Sequence, residues 1–293
     1  KLKSYGFNST IVDKGNFIGG RISTKEIKFG AKPSFFFHGA QFFTAKTQKF
    51  KNIIHVGIKN NYIIEFGNFD PKRYRGNKTM REFLLNLSKE LHFQQNVKIT
   101  EIVPIDNKIN VLDDKKKEWI SYDGVISTPP APQNYKLLNE FPSLQETLKT
   151  GSYHTCIAIM FTFDQIPVNE KTHYDFYKKP GILSWMAAGS NHRVWTAHTN
   201  EEFSDSNYYK DKDFLKEIIM SSIKKFFFRS KINFHSLHIW RYAKVKNKCL
   251  GPQIDAKYPV AIAGDFMEGQ NVEAAFTSGE KAADLIFDRF QSQ

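Results

Sequence analysis

The chain has 293 residues, 41% hydrophobic, 15% aromatic and 25% charged, with 27 phenylalanines and a formal net charge of +12. This is ordinary globular composition, long enough for one large or two intertwined domains, and it excludes an extended disordered chain. No apolar run approaches the ~18–20 residues of a membrane span, no signal-peptide pattern opens the chain, and Cys156 and Cys249 are too few for a disulfide framework or a zinc ribbon, so a cytoplasmic setting is expected.

Positive charge suits nucleic acid, an anionic membrane or an anionic small molecule. Its densest groups are residues 71–78, 113–118 and 244–248. No nucleic-acid-binding motif accompanies them, so they read as solvated surface rather than a nucleic-acid face.

In chain order, Lys1 to Gly6 reads as the last turn of a helix closed by a glycine. Residues 9–15 form a β-branched strand ending in Asp13 and Lys14, and Gly19-Gly20-Arg21 follows. Residues 25–32 are polar and basic, and Phe35-Phe36-Phe37 leads into His38-Gly39-Ala40-Gln41-Phe42. Residues 53–66 carry apolar side chains suited to strands and are expected to lie in a second domain. Residues 78–91 predict an amphipathic helix with Met80, Leu84, Leu87 and Leu91 on one face and Phe83 adjoining it.

Residues 97–102, 108–112 and 118–121 predict short strands, with a hairpin turn at 113–116 and a core strand at 123–128 that Pro129-Pro130 breaks. Residues 135–149 look helical. Four later segments, 156–163, 182–189, 194–198 and 234–242, predict strands of one antiparallel sheet. Between them, 213–227 predicts a helix. Its Phe226-Phe227-Phe228 end beside Lys224 and Lys225 suits either a membrane surface or the core, and helical spacing favours the core.

Residues 260–263 have the apolar character of a fully buried strand. Gly264-Asp265 and a helical pattern through Val272, Ala275, Phe276, Ala282 and Ile286 follow. A buried strand, a glycine and a helix start aim backbone N–H groups at an anion, and Asp265 is placed to accept from ligand hydroxyls. An ordinary strand–turn–helix fits the same residues.

No metal site emerges, because His235 and His238 are three apart on a strand and face opposite ways. No nucleophile elbow or reactive-cysteine signature is present, and the catalytic residues stay unassigned. On the strand ending at Tyr242, His238, Trp240 and Tyr242 point one way, toward either a substrate pocket or the core.

Taken in order, these stretches resemble the flavin amine-oxidase superfamily. The segments beginning at His38, Trp240 and Val272 are similar to motifs of its renalase-like branch. The resemblance runs from about Ile11 to the C-terminus. It implies an α/β architecture: a discontinuous Rossmann-like FAD-binding domain over residues 1–45, 76–130 and 250–293, and an antiparallel-sheet substrate domain over 46–75 and 131–249. It also implies non-covalent FAD. Asp13 and Lys14 would lie at the ribose, Gly19, Gly20 and Arg21 near the pyrophosphate and flavin, and Gly39, Ala40, Gln41 and Phe42 beside the ring. Ile102, Ser127, Gly264, Asp265, Val272, Glu273 and Ala274 complete the cofactor set, and His238, Trp240 and Tyr242 would close the substrate pocket.

The implied activity is oxidation of an isomeric dihydronicotinamide dinucleotide, a small anionic substrate, with molecular oxygen as acceptor. An amine oxidase or desaturase on the same fold, or a flavin-dead binding scaffold, are the other readings. Where the family often has Asp, this chain has Phe37, which removes a carboxylate role there. The family also places a strand and a Gly-x-Gly-x-x-Gly turn ahead of this first helix. Roughly 20–30 upstream residues are therefore expected, without which Ile11-Val12 and Ala261-Ile262 would present unpaired interior edges.

Overall fold

The first element ends as its glycine requires. Gly6 takes φ 86° and its N–H bonds back to Leu2 and Lys3, closing a 3-10 turn over Leu2–Tyr5. The computed structural model describes residues 1–29, 32–115, 119–167 and 171–292.

In chain order, β1 (Thr10–Asp13) precedes a hairpin of β2 (Lys25–Phe29) and β3 (Lys32–Phe36). Next come α1 (Gln48–Lys59), β4 (Ile63–Glu65), β5 (Tyr74–Gly76) and α2 (Glu82–Leu87). β6 (His92–Gln95), β7 (Ile99–Ile105), β8 (Lys108–Asp113), β9 (Trp119–Tyr122) and β10 (Val125–Ser127) follow. Then come α3 (Ala131–Leu137), α4 (Pro142–Lys149), β11 (Ser152–Phe163), β12 (His173–Asp175), β13 (Leu183–Ala188) and β14 (Val194–Thr199). The chain closes with α5 (Glu201–Asn207), α6 (Lys212–Lys224), β15 (Ile232–Asn247), β16 (Val260–Ile262), α7 (Asp265–Glu268) and α8 (Val272–Gln291).

Two compact units result. The first comprises Lys1–Ile18, Leu87–Tyr153 and Val245–Gln293, and the second Gly19–Asn86 and His154–Lys244. These bounds differ from the expected ones: 19–45 and 76–86 fall in the second unit, and 131–153 and 245–249 in the first.

In the first unit, β1 pairs parallel with β6, and β10 pairs parallel with β16. An antiparallel β7-β8-β9 sheet joins them. Strand β16 is buried on both faces. Val260 and Ile262 pack with Ile102, Phe141 and Phe266, while Ala261 and Ala263 pack with Ala282 and Ile286 of α8. That double burial is why its sequence is a run of apolar residues rather than an alternation. The expected open edge at Ala261-Ile262 is not found. Ile262 N–H donates to the Gln253 carbonyl at 2.9 Å and Asp255 N–H to the Val260 carbonyl at 2.8 Å. Among the described residues, strand β1 pairs only with β6 in a two-stranded sheet, and Ile11 on it is 38% exposed.

The second unit is built on a sheet of order β12-β13-β14-β11-β15. The four strands expected to form one antiparallel sheet all lie in it, and the short β12 joins at its edge. One face packs Ile157, Ile159, Phe161, Phe163 and Trp195 against Leu215, Ile219 and Ile223 of α6. Among the three phenylalanines after α6, Phe227 enters this core, while Phe226 and Phe228 are exposed. Core packing therefore accounts for one of the three.

Three expectations need correction. Residues 53–59 belong to α1, not to a strand. Thr47 caps the helix by accepting the Phe50 N–H, and Phe50, Ile54 and Gly57 form its buried stripe while Val56 and Ile58 are exposed. The helix expected over 78–91 is only Glu82–Leu87; it buries Phe83, whereas Leu87 is exposed and Met80 is buried ahead of the first turn. The helix expected over 135–149 is two, because Pro142 cannot continue a helix but starts α4 well. The β2–β3 hairpin was not anticipated, since its first strand reads as a polar, basic stretch. Part of the 113–116 turn, and residue 118 of the strand expected beside it, lie outside the described residues.

Candidate functional site

Two of the sequence motifs meet in the second unit. Ala40 N–H donates to the Arg21 carbonyl at 2.8 Å. A Cβ built on Gly39 would lie 2.0 Å from that same oxygen, so only glycine permits this approach of two backbones. Gly19 and Gly20 both take positive φ, 120° and 49°, in the turn that delivers Arg21. The Arg21 guanidinium reaches across to the Ala243 carbonyl on β15, Nη1 to O 3.1 Å.

Next to this pair sits a group of imidazole and indole rings. Trp240 stacks on His38 at 5.5 Å between centroids and donates its Nε1–H to the His38 carbonyl at 2.8 Å. His238 packs on both, 4.3 Å from Trp240 and 5.3 Å from His38. His198 Nε2 lies 3.1 Å from the same carbonyl oxygen; because that oxygen can only accept, His198 carries its proton on Nε2. Gln41 is buried behind it, accepting Trp185 Nε1–H at 3.3 Å and reaching the Thr196 carbonyl at 3.5 Å.

Burial, followed by the neighbouring His238 and His198, lowers the His38 pKa to about 3, and burial lowers that of His198 to about 4. Both rings are neutral at physiological pH. His38 Nδ1 is buried with no hydrogen-bond partner among the described residues, which leaves a polar atom available to a ligand.

His238 and Trp240, expected to face one way, do so. Tyr242 lies two residues further along β15, half-buried. Phe42 points into a separate aromatic group with Phe66, 6.5 Å away, and Trp185, 5.2 Å away.

The remaining expected residues lie in the first unit. Asp13 ends β1, and its Oδ1 accepts the Gly15 N–H at 2.7 Å; a carboxylate keeps further acceptor capacity after one such bond. Lys14 Nζ donates to Gln133 Oε1 at 3.2 Å. Ser127 is buried and its hydroxyl donates to Asn134 Oδ1. The Ile102 side chain is core, so only its backbone remains to meet a ligand.

Gly264 closes β16 and its N–H is held by Ser278 Oγ at 3.1 Å. Asp265 and Glu273 are both buried, at the starts of α7 and of the 20-residue α8. Asn271 caps α8 by accepting the Ala274 N–H at 2.8 Å. Val272, Glu273 and Ala274 thus form a helix start whose dipole favours negative charge.

Each unit, taken by itself, carries a feature suited to part of a flavin dinucleotide. The Gly39–Arg21 contact makes a cradle without side chains, and the β16–Gly264–Asp265 turn delivers a buried carboxylate and a capped helix start. Several side chains of this region were not singled out from sequence: His198, Trp185, Arg73 and Arg75. Among the described residues no group of three or more His, Cys, Asp or Glu could hold a metal ion, and no helix is long and apolar enough to cross a membrane.

No family model matches the sequence. Among solved structures, the chain is similar to a protein assigned as a protoporphyrinogen oxidase from Exiguobacterium sp. 255-15, with a TM-score of 0.55 and 15% identity over 77% of this chain and 54% of that one. It is similar to an oxidoreductase from Methanosarcina mazei, TM-score 0.52 and 12% identity, over 73% of this chain and 56% of the other. A third likeness is to a fatty acid isomerase from P. acnes that produces CLA, TM-score 0.52 and 14% identity, over 72% and 51%. The chain spans about half the length of these proteins. The likeness shows the fold alone: a mixed α/β fold shared with these proteins.

Proposed function

We propose that this chain belongs to an FAD-dependent oxidoreductase of the renalase-like kind, which takes a hydride from a small anionic substrate and passes the electrons to oxygen. The observation that carries this reading is the meeting of Gly39 and Arg21. Two segments that the resemblance places against the flavin come together in a contact that excludes any side chain. The oxidoreductase folds among the structural neighbours support it.

When bound, FAD would supply the hydride acceptor; the protein's part is to orient the substrate and set the field around it. In the first unit, Asp13, Asp265 and the start of α8 would hold the dinucleotide through hydroxyl and phosphate contacts. In the second, Gly39, Ala40 and Gln41 would line the ring. The neutral His38 and His198 keep that wall free of charge, while His38 Nδ1 remains to hydrogen-bond a ligand. His238 and Trp240 would close the substrate side. An isomeric dihydronicotinamide dinucleotide is the substrate that the resemblance and the net charge of +12 both favour, since positive charge speeds the encounter with anions.

The test uses the purified full-length protein with FAD. A flavin spectrum that survives desalting, and that bleaches faster on rapid mixing with isomeric dihydronicotinamides than with primary amines, is expected. Colour should return on adding oxygen. A protein that takes up no flavin would leave only a binding scaffold, and faster bleaching by amines would move the assignment to an amine oxidase.

A further inference from the structure

Arg73 and Arg75 lie two residues apart on the strand pair formed by β4 and β5, so their side chains leave the same face. The ladder extends through Arg73, whose carbonyl accepts the Phe66 N–H at 2.8 Å. Both guanidinium groups enter the aromatic group of the second unit. The Arg73 guanidinium carbon is 4.2 Å from the Phe42 ring centre, 3.9 Å from Phe69 and 5.0 Å from Trp185. Arg75 sits 4.6 Å from Phe66 and 5.4 Å from Phe37.

Rings stacked on a guanidinium stabilise its charge through their faces but satisfy none of its N–H groups, which lie in the guanidinium plane. Arg73 Nη1 and Arg75 Nε are buried without a hydrogen-bond partner among the described residues. The remaining contacts are weak: Arg73 Nη2 is 3.6 Å from Asp175 Oδ2, and Arg75 Nη1 donates to the Ala188 carbonyl at 3.3 Å. Burial lowers the Arg75 pKa only to about 10, so it stays charged at neutral pH. Lys72 and Glu65 on the same strand pair balance one another at 2.7 Å, and burial holds His173, stacked on Trp185, toward its neutral form. Asp175 is thus, among the described residues, the one carboxylate paired with either of these two guanidinium groups. A buried donor left unmade costs far more than a made bond contributes, and an oxyanion satisfies these planar donors better than anything now touching them. The Arg73 side chain is 20% exposed, so part of it meets solvent.

We propose that Arg73 and Arg75 form an oxyanion subsite, taking a phosphate or carboxylate group of the substrate, within the aromatic wall that Phe42 and Trp185 share with Gln41. The proposal rests on the reading of the second unit as the one that binds substrate. Arg73 is the principal donor, held against the Phe42 and Phe69 rings; Arg75 supplies charge and a second N–H.

The test is calorimetric titration of the full-length protein with phenyl phosphate and, in a separate arm, benzoate, each without added FAD. Binding of at least one is expected, and the better of the two names the oxyanion. R73Q should weaken it about 10- to 100-fold, as loss of a charge-assisted hydrogen bond does. D175N, on a half-exposed side chain whose loss leaves the core intact, should tighten it about two- to fivefold by removing the competing carboxylate. The pair K216Q/K224Q on α6 removes two charges without touching either arginine and should change affinity less than about twofold. Absence of heat with both probes at about 10 mM, equal affinity in wild type and R73Q, an unchanged D175N, or an equal loss in the lysine pair would each overturn the subsite. A protein that binds these anions through Arg73 but never takes up FAD keeps the subsite and loses the flavin reading. One that holds FAD while R73Q binds normally does the reverse.

Discussion

A Cβ on residue 39 would sit 2.0 Å from the Arg21 carbonyl oxygen and 3.0 Å from the Ser23 nitrogen. Both are backbone atoms and cannot swing aside. Gly39→Ala must therefore push the 21–23 segment away and lose the Ala40–Arg21 hydrogen bond. Overpacking of this kind costs roughly 1–3 kcal/mol. A fall of that size in the denaturant midpoint with an unchanged m-value is expected, accompanied by weaker flavin retention. Wild-type stability in the variant would show that the two segments are not pressed together.

The buried imidazoles predict sensitivity to mild acid. His38 and His198 have folded pKa values of about 3 and 4 against 6.5 when free. Between those values the unfolded chain binds protons that the folded chain does not, so stability rises with pH across that window. The contribution is fully present above pH 6.5 and is lost as pH falls toward about 4. Carboxylates held low in the fold, such as Asp205 and Asp164, act in the same direction but only at lower pH. Melting temperature measured from pH 4.5 to 6.5 should climb, and His38→Gln should flatten the climb. A flat wild-type profile would mean that these rings are solvated.

How far the sequence disclosed this arrangement depends on what each residue's partners are. Strand β16, the five-stranded sheet and α6 were legible because double burial or one buried face writes itself directly into apolar pattern. Helix α1 was not: Ile53, Ile54, Val56 and Ile58 carry strand-like side chains, and the Thr47 cap with the Phe50–Ile54 stripe outweighs that preference. The edge of β16 was expected to be open because the resemblance sets an upstream strand beside it, and nothing in the apolar run announces that Gln253 and Asp255 pair there instead. Arg73 and Arg75 were hidden for a different reason. A basic cluster reads as surface; Phe66 and Phe69 stand near it in sequence, but Phe37, Phe42 and Trp185, which complete the ring of aromatics around it, are far away. The signal that was present is the Arg-Tyr-Arg alternation, which puts two like charges on one strand face.

Both cysteines should be inert. Burial pushes the Cys156 thiol up to about 12 and that of Cys249 up to about 11. The thiolate is the reactive form, so a disulfide reagent near pH 7.5 should titrate neither in the native protein and both after denaturation. Rapid native labelling would contradict the burial of these side chains.

Gly264 is the position where packing and ligand binding give separable outcomes. A Cβ there would lie 2.3 Å from Cε1 of Phe266. That ring is fully buried against the β16 face carrying Val260 and Ile262. Its φ of 161° is extended backbone that any residue can adopt, so no conformational strain attaches to the glycine itself. Gly264→Ala should then destabilise by roughly 1–3 kcal/mol through the ring alone, with no cofactor involved. Phe266→Leu removes the colliding ring edge but loses packing, and by itself should cost about 1 kcal/mol. If the collision is the whole effect, the double variant should be more stable than the sum of the single losses by at least about 1 kcal/mol. Flavin affinity measured on the same four proteins separates the roles. Recovery of stability together with recovery of flavin binding assigns Gly264 to packing. Recovery of stability with flavin still lost assigns the position to close backbone approach by the cofactor.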